Sequence, residues 1–115
     1  MATQGIVRKP LLTASPINKQ VSRVEIKEIN FEPSQETGLH FHPCPVVGYI
    51  ATGTATFQVE GGPLQTLNTG DAFFEPANTP IAHFDNASDT LPLKFIAYYL
   101  LDGDQDLIKM IPDTK

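Results

Sequence analysis

The three histidines of this sequence offer its most distinctive chemistry. His40 and His42 flank Phe41, and His83 stands on a later apolar segment. If residues 39–42 run as a strand, side chains two apart project from one face, so His40 and His42 point together. Two imidazoles converging in this way can share one divalent metal ion. A third ligand from a facing strand would complete the set and leave positions open for substrate or oxygen. The same His-x-His spacing also occurs at ordinary polar strand ends, and spacing alone leaves both readings standing. Cys44, the one cysteine, lies in a Pro-Cys-Pro turn just past His42. Its thiolate is placed to reach a soft metal; the alternative is a small buried hydrophobe. A single thiol excludes an internal disulfide, a Cys-x-x-Cys zinc site and a redox pair.

The elements that must position these side chains are short. Runs rich in Val, Ile, Phe, Thr and Tyr occupy 21–31, 39–42, 46–52, 54–60, 64–67, 72–75, 81–85 and 93–101, each bounded by Gly, Pro, Asn or Asp. No long segment repeats apolar residues at helical spacing. The pattern predicts an all-β chain of about ten strands closed into a barrel or sandwich. Gly53 kinks one strand into the next, Gly61-Gly62 forms a tight hairpin, and 68–71 forms a turn. Within 21–31, Val24 and Ile26 share one face while Ile29 and Phe31 share the other, which predicts a bulge near Lys27. The seven phenylalanines are expected to fill the core and cover a dimer surface. Residues 102–115, with Leu107, Ile108, Met110 and Ile111 as their apolar side chains, read as a docked tail.

Size and charge narrow the function. A chain of 115 residues fits one domain, 1–115, with a barrel over about 21–101 and terminal segments packing on it or on a partner subunit. Hydrophobic residues make up 41% and charged residues 18%, which is a globular balance. No apolar run approaches the roughly 20 residues that span a bilayer, so no membrane partner is expected. No secretory leader is recognisable, and the expected location is the cytoplasm. The net charge of −5, without a Lys/Arg stripe, argues against nucleic acid as a partner.

The residues around the histidines resemble the two motifs of the cupin superfamily. The first, G-x5-H-x-H-x3,4-E-x6-G, is matched at His40, His42 and Gly53, with Ser34 at the leading glycine and Val46 at the glutamate. The second, G-x5-P-x-G-x2-H-x3-N, is matched at Gly70 and Pro76. There Asn78 replaces the middle glycine, Ile81 falls at the histidine, and Asn86 comes one residue late.

The resemblance implies a double-stranded β-helix, a conical jelly-roll-like barrel that often dimerises, with a divalent transition metal (Fe, Mn, Ni or Zn) inside. His83, two residues past Ile81, points inward on a regular strand, so the implied metal set is His40, His42 and His83. Val46, Gly48, Ile50, Phe73 and Ile81 are expected to line a substrate pocket, where Gly48 either leaves room for a ligand or permits close packing. Glu75 either supplies the missing carboxylate from another strand or is a strand-end acid in solvent.

The expected function is that of a small metal-dependent cupin homodimer holding a small organic molecule. A three-histidine dipositive centre would favour a carboxylate over a neutral sugar. The rivals are a metal-free binding or sensing module and a structural dimer with a vestigial pocket. Superfamily members catalyse many reactions, so none transfers with the fold.

Overall fold

The computed structural model describes residues 5–15 and 20–112. Nine strands are formed among them: β1 (Arg23–Phe31), β2 (His40–Phe41), β3 (Val46–Thr52), β4 (Ala55–Val59), β5 (Gln65–Leu67), β6 (Ala72–Glu75), β7 (Ile81–Asn86), β8 (Leu93–Leu101) and β9 (Lys109–Met110). They make two antiparallel sheets, ordered β1-β8-β3-β6 and β5-β4-β7-β2-β9. This all-β arrangement is the double-stranded β-helix that the motifs imply. The docked tail supplies β9, which pairs with the histidine strand β2.

Period-two alternation explains why the sheets face each other. Along β8, Leu93, Phe95, Ala97, Tyr99 and Leu101 are buried while the residues between them are only partly covered. Five of the seven phenylalanines are buried in the core; Phe41 and Phe74 are half-buried. Phe73, Phe84 and Phe95 meet at the centre with ring centroids 4.4 to 6.0 Å apart. Such interlocked rings hold a wall in one shape.

Turn chemistry sets the connections. Gly61, with φ 84°, and Gly62, whose N–H donates to the Val59 carbonyl, close the β4–β5 hairpin. The Asp71 N–H donates to the Asn68 carbonyl, and the Asp71 carboxylate accepts from the Asn68 N–H.

The expected bulge near Lys27 is absent. β1 pairs with β8 without interruption from Arg23 opposite Leu101 to Phe31 opposite Leu93. Val24 and Ile26 lie on the outer face, 50% and 61% exposed, so their parity reflects an apolar exterior and not a shifted strand. The register shifts lie elsewhere, at Ile50/Thr52 of β3 and between β4 and β7. The second of these decides where His83 points.

Candidate metal centre

His40 of β2 and His42, just past its end, project into the interior, where they are 2% and 4% exposed. Each ring is tied from behind: His40 Nδ1 lies 2.8 Å from the Gly38 carbonyl and His42 Nδ1 lies 2.6 Å from the Leu107 carbonyl. A carbonyl only accepts, so each Nδ1 donates a proton and each neutral ring presents its Nε2 lone pair. The rings stand edge to face with centroids 5.1 Å apart.

Glu75 completes the cluster. On β6, Phe73 and Glu75 are the inward residues, and the register sets Glu75 directly opposite Val46 of β3. Glu75 Oε1 lies 3.3 Å from His42 Nε2, and Oε2 lies 3.9 Å from His40 Nε2. Oε2 is buried with no hydrogen-bond partner among the described residues. Leaving a buried carboxylate oxygen unpaired is costly, which favours a partner beyond the described protein groups.

The donor set fits a divalent ion. Ligating atoms of the three residues lie within 4.8 Å of one another. Two donors each about 2.1 Å from a metal stand about 3.0 Å apart at a right angle and about 3.4 Å apart at the tetrahedral angle. The His42–Glu75 separation of 3.3 Å falls in this range, and the His40–Glu75 separation of 3.9 Å lies about half an ångström beyond it. Burial opposes charging of His42, but the Glu75 hydrogen bond and charge and the Leu107 carbonyl outweigh it, holding the imidazolium above its ordinary range.

His83 is not brought to this cluster. Gln58 faces His83 and Val59 faces Ile81, so β7 advances two residues where β4 advances one. This bulge reverses the alternation: Ile81 and Phe84 point inward and His83 outward. The His83 side chain is 47% exposed, with Nδ1 2.9 Å from Asp85 Oδ2. Ile81, opposite His40 and fully buried, fills the place implied for a third histidine.

The expected pocket residues are core residues. Val46, Ile50, Phe73 and Ile81 are packed among apolar side chains and do not line the cavity beside the metal cluster. At Gly48 a Cβ would lie 2.6 Å from Phe73 Cζ and closer still to the Ile96 carbonyl. The glycine therefore permits close packing and leaves no room for a ligand. Cys44 is fully buried in the same core, where burial raises its thiol pKa; it is not among the clustered ligands.

The cavity that adjoins His40, His42 and Glu75 has a volume of about 170 Å³. Its apolar walls come from Ile29, Phe31, Phe84, Phe95, Ala97 and Ile108, and the hydroxyl-bearing Thr37 and Tyr99 also line it. Burial, with the nearby Glu75 and Cys44, pushes the Tyr99 pKa up to about 12, so its hydroxyl keeps its proton. The ring stands 5.7 Å from that of His42. Sequence reasoning did not single out Phe95, Ala97 or Tyr99 as site residues; the alternation of β8 is the signal that they point inward, and only the folded register shows that they border the histidines.

The family model for the cupin domain matches residues 27–99, more than half of the chain. No curated protein matches it. Among solved structures, the chain is similar to the DMSP lyase DddQ from Ruegeria pomeroyi DSS-3, with TM-score 0.66 and 23% identity over 76% of this chain and 42% of that one. It is also similar to a cupin-like protein from Thermotoga maritima MSB8, with TM-score 0.66 and 22% identity over 80% and 67% of the two chains. A recombinant oxalate oxidase in complex with glycolate aligns with TM-score 0.64 and 17% identity, over 76% of this chain and 45% of that one. The chain spans less than half the length of the lyase and of the oxidase.

Proposed function

The chain belongs to the cupin family, and on that premise we propose that it is a metal-dependent cupin whose divalent ion is held by His40, His42 and Glu75. The observation that carries this reading is the orphaned, buried Glu75 Oε2 facing the two histidines. Two histidines and one carboxylate form a facial set, the donor chemistry associated with iron and related divalent ions. That set would leave coordination positions free on the side of the cavity. A bound ion there supplies Lewis acidity, polarising an oxygen of the ligand.

The protein's own groups prepare the site. The Gly38 and Leu107 carbonyls fix the imidazole tautomers, and the protonated Tyr99 hydroxyl is a donor for a ligand oxygen. Glu75 also changes the charge expected of the centre. A divalent ion beside one carboxylate carries a net single positive charge, not the two units of a three-histidine set.

A metal-free binding module is the alternative, favoured by the His42–Glu75 pair, which is an ion pair when His42 is protonated. That pairing leaves Oε2 unsatisfied. Cobalt(II) substitution separates the two readings, because its visible absorption reports ligand number. Added azide fills a free position and shifts the bands if the ion sits as described. No cobalt uptake, or bands indifferent to azide, would overturn the proposal.

A further inference from the structure

We infer that the molecule taken by this site is a monoanionic oxygen donor, such as a monocarboxylate, bearing one apolar group no larger than a single six-membered ring. The inference rests on the metal reading above and deepens it.

Charge limits the ligand first. The ion and Glu75 together carry one positive charge, and both histidines are neutral as ligands. One further negative charge makes the buried centre neutral. A dianion leaves a net buried negative charge that needs a cationic partner. Among the described residues, no lysine or arginine lines the cavity. Along β1, Arg23, Glu25 and Lys27 share the side of Ile29, while Lys109, next to Ile108, is exposed and paired with Asp106. Arg23 and Lys27 are already paired with Glu25 and are more than a third exposed. Among the described residues, a second carboxylate or a phosphate therefore finds no buried counter-charge. A sugar fares no better, because apart from the metal ligands the described lining residues carry only two hydroxyls, those of Thr37 and Tyr99.

Size limits it next. An apolar cavity of about 150 Å³ accepts one benzene molecule, and this one measures about 170 Å³. Phe31 and Phe95 meet edge to face at 5.4 Å, and Phe84 and Phe95 pack tilted at 4.4 Å. Walls that brace one another in this way do not widen cheaply for a second ring. Ala97, between Phe95 and Tyr99 on β8, is the smallest inward side chain bordering the space, and its size keeps the space open.

The test uses full-length protein loaded with zinc and assayed for metal before any ligand is added. Benzoate, acetate, succinate, phosphate and glucose are then titrated calorimetrically into loaded and chelator-treated protein. Benzoate is expected to bind at least about tenfold more tightly than any other member of the panel, and only with zinc present. Ala97→Val and Ala97→Leu, which fill the cavity in two steps, lower benzoate affinity progressively while zinc content and acetate affinity hold. Protein that takes up no zinc overturns the metal reading and this inference with it. Protein that holds zinc yet binds succinate or phosphate as tightly as benzoate, or binds no benzoate, overturns this inference alone. Unchanged benzoate affinity in folded Ala97→Leu does the same.

Discussion

Val46 and Glu75 stand opposite each other on one rung of the β3–β6 ladder. The cupin motif places its carboxylate at position 46, and here the carboxylate reaches the histidines from the neighbouring strand. Directly opposed residues hold their Cβ atoms only about 5 Å apart, so either position can deliver a carboxylate to nearly the same point.

That proximity predicts a rescue. Glu75→Val should abolish high-affinity metal binding, and adding Val46→Glu to that variant should restore it to within about a hundredfold of wild type, the cost of an imperfectly oriented ligand. Competition against a chromophoric chelator measures all three proteins. No recovery in a folded double variant would mean that the rung does not make the positions equivalent.

The pH dependence of stability should change sign with metal. In metal-free protein the His42 pKa is raised: burial opposes the charged ring, while Glu75 and the Leu107 carbonyl more than compensate. A raised histidine pKa contributes stability that is complete below the ordinary value near 6.5 and is lost as pH climbs through the folded value. The melting temperature of chelated protein should therefore fall from pH 6 to pH 8. Metal requires a neutral ring, so the melting temperature of loaded protein should rise over the same range. Parallel trends in the two forms would contradict this assignment.

The C-terminal strand positions a ligand from outside the cavity. Leu107 lends its carbonyl to His42, Ile108 lines the cavity, and the Gln105 amide donates to the Pro43 carbonyl. Removing residues 105–115 should weaken metal binding by about 10 to 100-fold, the usual effect of losing the group that orients a histidine. Circular dichroism should retain the β signature, because the truncation removes only the edge strand β9. Unchanged metal affinity in the truncated chain would show that the Leu107 carbonyl is dispensable.

The strands were legible because alternation and turn residues are local signals. The turn conformations at the motif glycines also survive their replacement: Ser34 has φ 63° and Asn78 has φ 58°, both left-handed. The site was legible only in part. His40 and His42 share a face by simple parity, but His83 could be placed only by knowing that β7 bulges against β4. That irregularity belongs to the pairing of distant strands and leaves no mark on 81–86 itself. Glu75 posed the same difficulty from the other side, since its role depends on the register between β3 and β6. Val24 and Ile26 misled for a related reason: two apolar residues on an exterior face look, in sequence, like a strand that has changed sides.

The most direct test is the metal content of three proteins made without an affinity tag: wild type, Glu75→Gln and His83→Ala. Each is loaded with zinc or manganese, desalted and measured by elemental analysis beside a circular dichroism spectrum that verifies folding. The account predicts about one ion per chain in wild type and His83→Ala, and a loss of at least about tenfold in Glu75→Gln. Full occupancy in Glu75→Gln together with loss in His83→Ala would contradict it.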